Sequence, residues 1–100
     1  MATAGEAPTE TDDLSIVIPS YNSAEWLPST LAAVTTAIGR SGLNVEIVLI
    51  DDGSNDNTAE VVASFARASA VPVQYHFQEN EGVFSARLLG VRLARSSRIL

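Results

Sequence analysis

Four apolar residues, Ile47-Val48-Leu49-Ile50, run without interruption into the polar stretch Asp51-Asp52-Gly53-Ser54-Asn55-Asp56-Asn57-Thr58. An unbroken apolar run stopped by turn-forming residues predicts a buried strand that ends at a surface site. That strand is expected over residues 45–50. Upstream, residues 14–19 predict a first strand, closed by Pro19. Leu27, Leu31, Val34 and Ile38 recur at helical spacing, so a helix is expected over residues 28–38, ended by Gly39 and Gly42. A second helix is expected over residues 58–69, with Asn57 and Glu60 as a capping pair and Val61, Val62 and Phe65 facing inward. In residues 73–78, Val73, Tyr75 and Phe77 alternate with Gln74, His76 and Gln78, which predicts a third strand with one wetter face, near a sheet edge. A third helix follows Gly82, with Phe84, Leu88 and Val91 on its inner face, and Arg98-Ile99-Leu100 opens a fourth strand.

The order β-α-β-α-β-α-β predicts an α/β fold: a mainly parallel sheet between two layers of helices, joined by right-handed crossovers. Since residue 100 falls inside a strand, residues 14–100 are expected to be the front of a domain that continues in a longer protein. Residues 1–13, rich in Ala, Thr, Glu and Pro and without periodicity, are expected to form a disordered tail.

Charge sharpens this picture. The chain of 100 residues carries a formal net charge of −6, with ten Asp/Glu and one Arg before residue 61, and two Asp/Glu and five Arg after it. An acidic chain argues against general nucleic-acid binding. The Arg-rich second part could instead face an anionic group such as a phosphate. There is no cysteine, which excludes disulfides and thiolate metal sites. The N-terminus lacks the basic start and apolar stretch of a signal peptide, and no run approaches about 18 apolar residues. The expected location is the cytoplasm, with association at the inner face of a membrane left open.

Two adjacent carboxylates at the end of a buried strand need partners, whether backbone donors, a metal or a ligand. Ligands in open α/β sheets bind outside the carboxyl ends of the strands. No Gly-x-Gly and no Gly-Lys-Ser/Thr is present, so the dinucleotide fingerprint and the P-loop are absent. Asp52, Ser54, Asp56 and Thr58 begin a calcium-loop spacing, but Asn57 stands at the glycine position and Ala63 at the closing glutamate.

Pro19-Ser20-Tyr21-Asn22, Asp51-Asp52-Gly53-Ser54-x-Asp56-x-Thr58, and Asn80-x-Gly82 followed by Ala86-Arg87, Gly90 and Ala94 together resemble the three signatures of family 2 glycosyltransferases. The resemblance covers residues 14–100. It implies a GT-A (nucleotide-diphospho-sugar transferase) fold and transfer of a sugar from a nucleoside diphosphate, a UDP-sugar above all, to a saccharide, lipid or other acceptor with inversion. It also implies a nucleotide site built from Pro19, Tyr21, Asp51, Asp52, Gly82 and Arg87.

Tyr21, in a loop after a strand, either stacks on a base or covers the sheet end; the resemblance favours the base. Asn22 is expected to be a turn residue bonding nearby backbone, Asp56 a cap or turn residue, and His76 an ordinary strand residue. A carboxylate such as Asp52 only accepts hydrogen bonds, which suits uracil, thymine or guanine, whose edges present an N–H, and disfavours cytosine. Arg87, in the matching family position, would face the nucleotide; otherwise it is a solvated helix arginine. Gly82 would let backbone approach the ligand or simply start the helix. Leu88, Ser96 and Arg98 depart from the family pattern, where Asn, Gly and an aromatic are common.

The family's Asp-x-Asp motif, which holds Mg²⁺ or Mn²⁺ against the diphosphate, would follow the fourth strand, as would the catalytic base and acceptor site. No metal ligands and no catalytic residue are therefore expected within this chain, and the segment alone is expected to be inactive. Rival readings are a nucleotide-binding or regulatory module without transfer, a nucleotidyltransferase, and a receiver-like interaction domain.

Overall fold

All eight residues of β2 (Val45–Asp52) are buried. The computed structural model describes residues 13–100 and places β2 between β1 (Leu14–Ser20) and β3 (Val73–Gln78), all three parallel. Alternation along the strand sends Ile47 and Leu49 to one face, where they pack with Leu27 and Leu31 of α1 (Leu27–Ser41) and Val62 of α2 (Thr58–Ala68). Val48 and Ile50 take the other face, against Ala86 of α3 (Val83–Leu93), with Val17, Leu89 and Leu93 around them. The result is the expected three-layer α/β/α arrangement, with β3 at an edge of the described sheet.

Beyond α3 the chain returns beside β1 rather than β3. Ser15 N donates to Arg98 O (2.8 Å), Leu100 N to Ser15 O (2.8 Å) and Val17 N to Leu100 O (2.9 Å), with a parallel bridge between Ser15 and Ile99. Sheet order therefore reverses at β1. Such a reversal leaves a crevice at the carboxyl end of the strand, because the flanking connections leave to opposite faces.

Five expectations need correction. Pro19 does not close the first strand, because pairing continues through Ser20, opposite Asp51. The second strand runs two residues further than residue 50, because Asp51 and Asp52 continue the pairing with Phe77 and Gln78. α1 continues through Gly39 to Ser41 and ends at Gly42, whose φ of 73° is the left-handed conformation that closes a helix. Asn57 makes no side-chain cap to α2; Asp56 does that work, accepting from the Thr58 N–H and hydroxyl.

The fifth correction is the inner face of α3. Phe84, Leu88 and Val91 are 74%, 50% and 47% exposed, while Ala86 and Gly90 are buried against the sheet. Small residues win that face because the helix lies close: a Cβ on Gly90 would come within 2.3 Å of Val17 Cγ1.

Residues 1–12 of the expected tail lie outside the described residues. Asp13, its last residue, is tied to the sheet end: its N–H donates to Asn44 O (2.7 Å) and its Oδ2 accepts from Asn44 N (2.8 Å).

Candidate functional site

Three loops meet over the carboxyl ends of β1 and β2. The first, after β1, turns at Asn22, whose φ of 48° is left-handed. The expectation that its side chain bonds nearby backbone is not met, because its partner lies 33 residues away. The side chain reaches across to the second loop: Asn22 Oδ1 accepts from Asn55 N (2.8 Å), and Asn22 N donates to Ser54 Oγ (2.8 Å). Asp56 completes this clasp, with Oδ2 accepting from Ala24 N (3.1 Å). The Thr58 hydroxyl above all holds the Asp56 carboxyl below its ordinary range, with burial opposing and backbone donors assisting.

The third loop, before α3, lies directly on the second. Gly53 has φ 84°, and a Cβ there would come within 2.8 Å of Asn80 N, so only glycine fits between the two loops.

Adjacent strand residues point to opposite faces, so Asp51 and Asp52 have separate environments. Asp51 points toward α1 and α2 and is buried. Its Oδ2 accepts from Tyr75 Oη (2.6 Å) and its Oδ1 from Ser54 N (2.9 Å). Burial first, then the Asp51 hydrogen bond and the negative charges of Asp51 and Asp56, push the Tyr75 phenol well above its usual range.

Asp52 points toward α3 and is 6% exposed. Its Oδ1 accepts from Gln78 Nε2 (2.8 Å) and Glu81 N (2.7 Å), and its Oδ2 from Gly82 N (2.9 Å). The Gln78 amide is the chief cause holding this carboxyl below its ordinary range; Glu81 N and Gly82 N act the same way and burial acts against them.

Asp52, Pro19, Ser20, Tyr21 and Val83 line a shallow cleft of about 120 Å³. Pockets that enclose a small ligand run to roughly 300–1,000 Å³. A cleft of this size encloses only part of such a ligand. Tyr21, 47% exposed, offers its ring there. Ser20 Oγ is buried and, among the described residues, has no hydrogen-bond partner.

Of the six sequence-predicted residues, Pro19, Tyr21 and Asp52 line the cleft, and Gly82 reaches it through its N–H to Asp52. Asp51 lies under the opposite sheet face. Arg87 is exposed and outside the lining. It sits roughly 100° round the helix from the sheet-facing Ala86 and one turn beyond Val83 on the same flank.

Sequence reasoning missed Gln78, whose position across from Asp52 becomes visible only once the strand order is known. His76, expected to be an ordinary strand residue, is half-buried, with its ring 3.1 Å from Gln74 Oε1.

Among the described residues no group of three or more His, Cys, Asp or Glu is placed to hold a metal ion. The oxygens of Asp51 and Asp52 are engaged by N–H and O–H donors, a setting for hydrogen-bonded carboxylates and not for cation ligands. No helix among these residues is long and apolar enough to cross a membrane.

The family model described as Glycosyl transferase family 2 matches residues 15–100. Among solved structures, the chain is similar to "Crystal structure of S. aureus TarS 1-349", with 20% sequence identity and a TM-score of 0.72. The match covers 88% of this chain and 26% of that one, so the chain spans about a quarter of the solved relative. The shared architecture is the parallel α/β/α sheet of a GT-A-type glycosyltransferase.

Proposed function

Because the chain belongs to glycosyl transferase family 2, we propose that its β1–β2 cleft holds the nucleotide of a nucleoside-diphosphate sugar, and that UDP is the preferred nucleotide. The observation that carries this reading is Asp52: an almost fully buried carboxylate, held in place by three donors, lining a cleft beside an exposed aromatic ring.

A carboxylate has about four lone-pair sites, and three are in use here, so Oδ2 can still accept one N–H. Uracil presents an imino N–H on that edge, whereas cytosine presents an acceptor and is repelled. Tyr21 supplies the stacking face, and Pro19 with Val83 the apolar walls. Gly82 lets backbone come close to Asp52 through a φ of 100° that other residues rarely adopt. Asp51 acts from below, pinning Ser54 and Tyr75 under the loop. Arg87 meets the diphosphate along the flank of α3.

The sugar then passes to a saccharide, lipid or other acceptor in a single inverting displacement, as part of polysaccharide or related glycan synthesis. Family members commonly use a divalent ion. The described residues offer no ligand set for one, and no residue among them is proposed as its ligand, as the catalytic base or as part of the acceptor site.

Titration with UDP and CDP, followed by NMR, tests the reading. UDP is expected to bind about tenfold or more tightly than CDP, since the wrong base leaves Asp52 facing a second acceptor. Asp52→Asn should erase that preference, because an amide can donate as well as accept. Equal affinities for UDP and CDP in the unaltered protein would refute it.

A further inference from the structure

Two of the three donors to Asp52 are backbone N–H groups in the loop entering α3; the third is a side chain from the neighbouring strand. Register places Gln78 directly across from Asp52, so the two side chains stand on the same sheet face and meet without an intervening loop. Gln78 belongs to none of the sequence signatures. Its Nε2 donates to Oδ1 at 2.8 Å, the oxygen that also accepts from Glu81 N, so the open acceptor position falls on Oδ2. Among the described residues Gln78 is the only side chain that hydrogen-bonds Asp52.

We propose that Gln78 is a positioning residue of the nucleotide site: it locks the Asp52 carboxylate through Oδ1, so that Oδ2 is presented to the imino N–H of a uracil-type base. The inference rests on the base-reading role given to Asp52 above. Without Gln78 the carboxylate keeps only its two backbone donors, can swing about its terminal torsion, and loses the strongest influence keeping it ionised.

Other charged or titratable groups lie around this pair. Asp51 is on the opposite face, bonded to Tyr75 and Ser54. Glu79 and Glu81 are exposed in the loop, Arg87 is exposed on α3, Tyr21 lines the cleft from the β1 side, and His76 precedes Gln78 on the same face of β3. None of their side chains hydrogen-bonds Asp52.

Two variants with opposite chemistry test this, each read by NMR in two ways: the pH titration of the Asp52 carboxyl carbon without ligand, and the UDP affinity across acidic to neutral pH. Gln78→Met fills the space without a donor. It should move the Asp52 titration upward, shift the acid limit of UDP binding upward with it, and weaken UDP about tenfold at neutral pH. In Gln78→Glu the new carboxyl can donate only when protonated. UDP affinity should therefore be lost at neutral pH and rise as the pH is lowered, the reverse of the trend in Gln78→Met.

Loss of fold or loose packing would lower affinity in both variants equally at every pH and would not produce opposite trends; that result overturns the proposal. So does an unmoved Asp52 titration in Gln78→Met together with unaltered UDP affinity. If the unaltered protein and Asp52→Asn bind UDP equally, the base-reading role has failed, a result separable from failure of Gln78 by the ligand-free titration.

Discussion

Glu46 is a fully buried carboxylate on the α3 face of β2, and it accepts hydrogen bonds from three parts of the chain. Oε2 accepts from Ser15 Oγ of β1 (2.6 Å) and from Arg95 N of the link after α3 (2.6 Å), and Oε1 from Gln74 Nε2 of β3 (2.9 Å). Ser15 Oγ in turn accepts from Ser96 N (3.1 Å), and Gln74 Nε2 also reaches Leu93 O (3.0 Å). One side chain thus joins β1, β2, β3 and the returning segment.

In Glu46→Ala the Arg95 N–H loses its Glu46 acceptor, while Ser15 can rotate and Gln74 keeps Leu93 O. Each orphaned buried donor costs about 1–3 kcal/mol. With partial rescue at two of the three, the expected loss is about 3–5 kcal/mol, against roughly 5–15 kcal/mol for a whole domain. Glu46→Gln keeps the volume but turns an amide N–H₂ toward a donor. It should cost about 1.5–3 kcal/mol, the range for a hydrogen bond to a charged group. Urea unfolding followed by circular dichroism reads both values, with the slope checking that the native state keeps its compactness. A loss below about 1 kcal/mol in Glu46→Ala, with an unaltered slope, would show that water replaces the carboxylate and that these bonds do not staple the sheet.

Tyr21→Phe should leave UDP affinity nearly unchanged and Tyr21→Ala should reduce it at least several-fold, since base–aromatic stacking is worth about 1–3 kcal/mol; equal damage in both would mean that the hydroxyl matters and not the ring. Arg87→Ala should shrink the preference for UDP over uridine and its salt dependence, because only UDP carries the diphosphate; an unchanged ratio returns Arg87 to a solvated helix position. Tyr75 holds its proton more tightly folded than unfolded. Its contribution is therefore whole below about pH 10, the ordinary phenol value, and drains away as the pH rises toward the raised folded value. Urea midpoints measured into the alkaline range should fall steeply in the unaltered protein and less steeply in Tyr75→Phe; parallel declines would contradict the Asp51–Tyr75 coupling.

What the sequence made legible follows from which signals are local. The apolar run of β2 and the helical spacing of Leu27, Leu31, Val34 and Ile38 announced their elements, because burial on both faces or on one stripe leaves a period. The inner face of α3 was misread because the large residues Phe84, Leu88 and Val91 share a stripe. What decides the packing is the absence of bulk at Ala86 and Gly90, which hydrophobic periodicity undervalues. Asp56 was legible as a cap or turn residue. The cap assigned to Asn57 was not found, since two neighbouring polar side chains compete for the same N–H groups.

Strand parity already implies that Asp51 and Asp52 point to opposite faces, but which faces an α1–α2 floor and which an α3 cleft depends on where the helices lie. Gln78 and the Glu46 staple depend on strand order and register, which no local pattern carries. An acid at a position sharing parity with Val48 and Ile50 was the available signal for Glu46.

The most direct test of the nucleotide cleft is a backbone amide chemical-shift titration of the protein with UDP at up to millimolar concentration, beside the same titration of Asp52→Asn. Binding at the carboxyl ends of β1 and β2 should perturb Tyr21, Glu81 and Gly82, leave Thr35, Phe65 and Ser69 of the α1–α2 groove unmoved, and be weaker in Asp52→Asn. Perturbations centred on the α1–α2 groove, or the same pattern and strength in Asp52→Asn, would place the nucleotide elsewhere and contradict the assignment of Asp52.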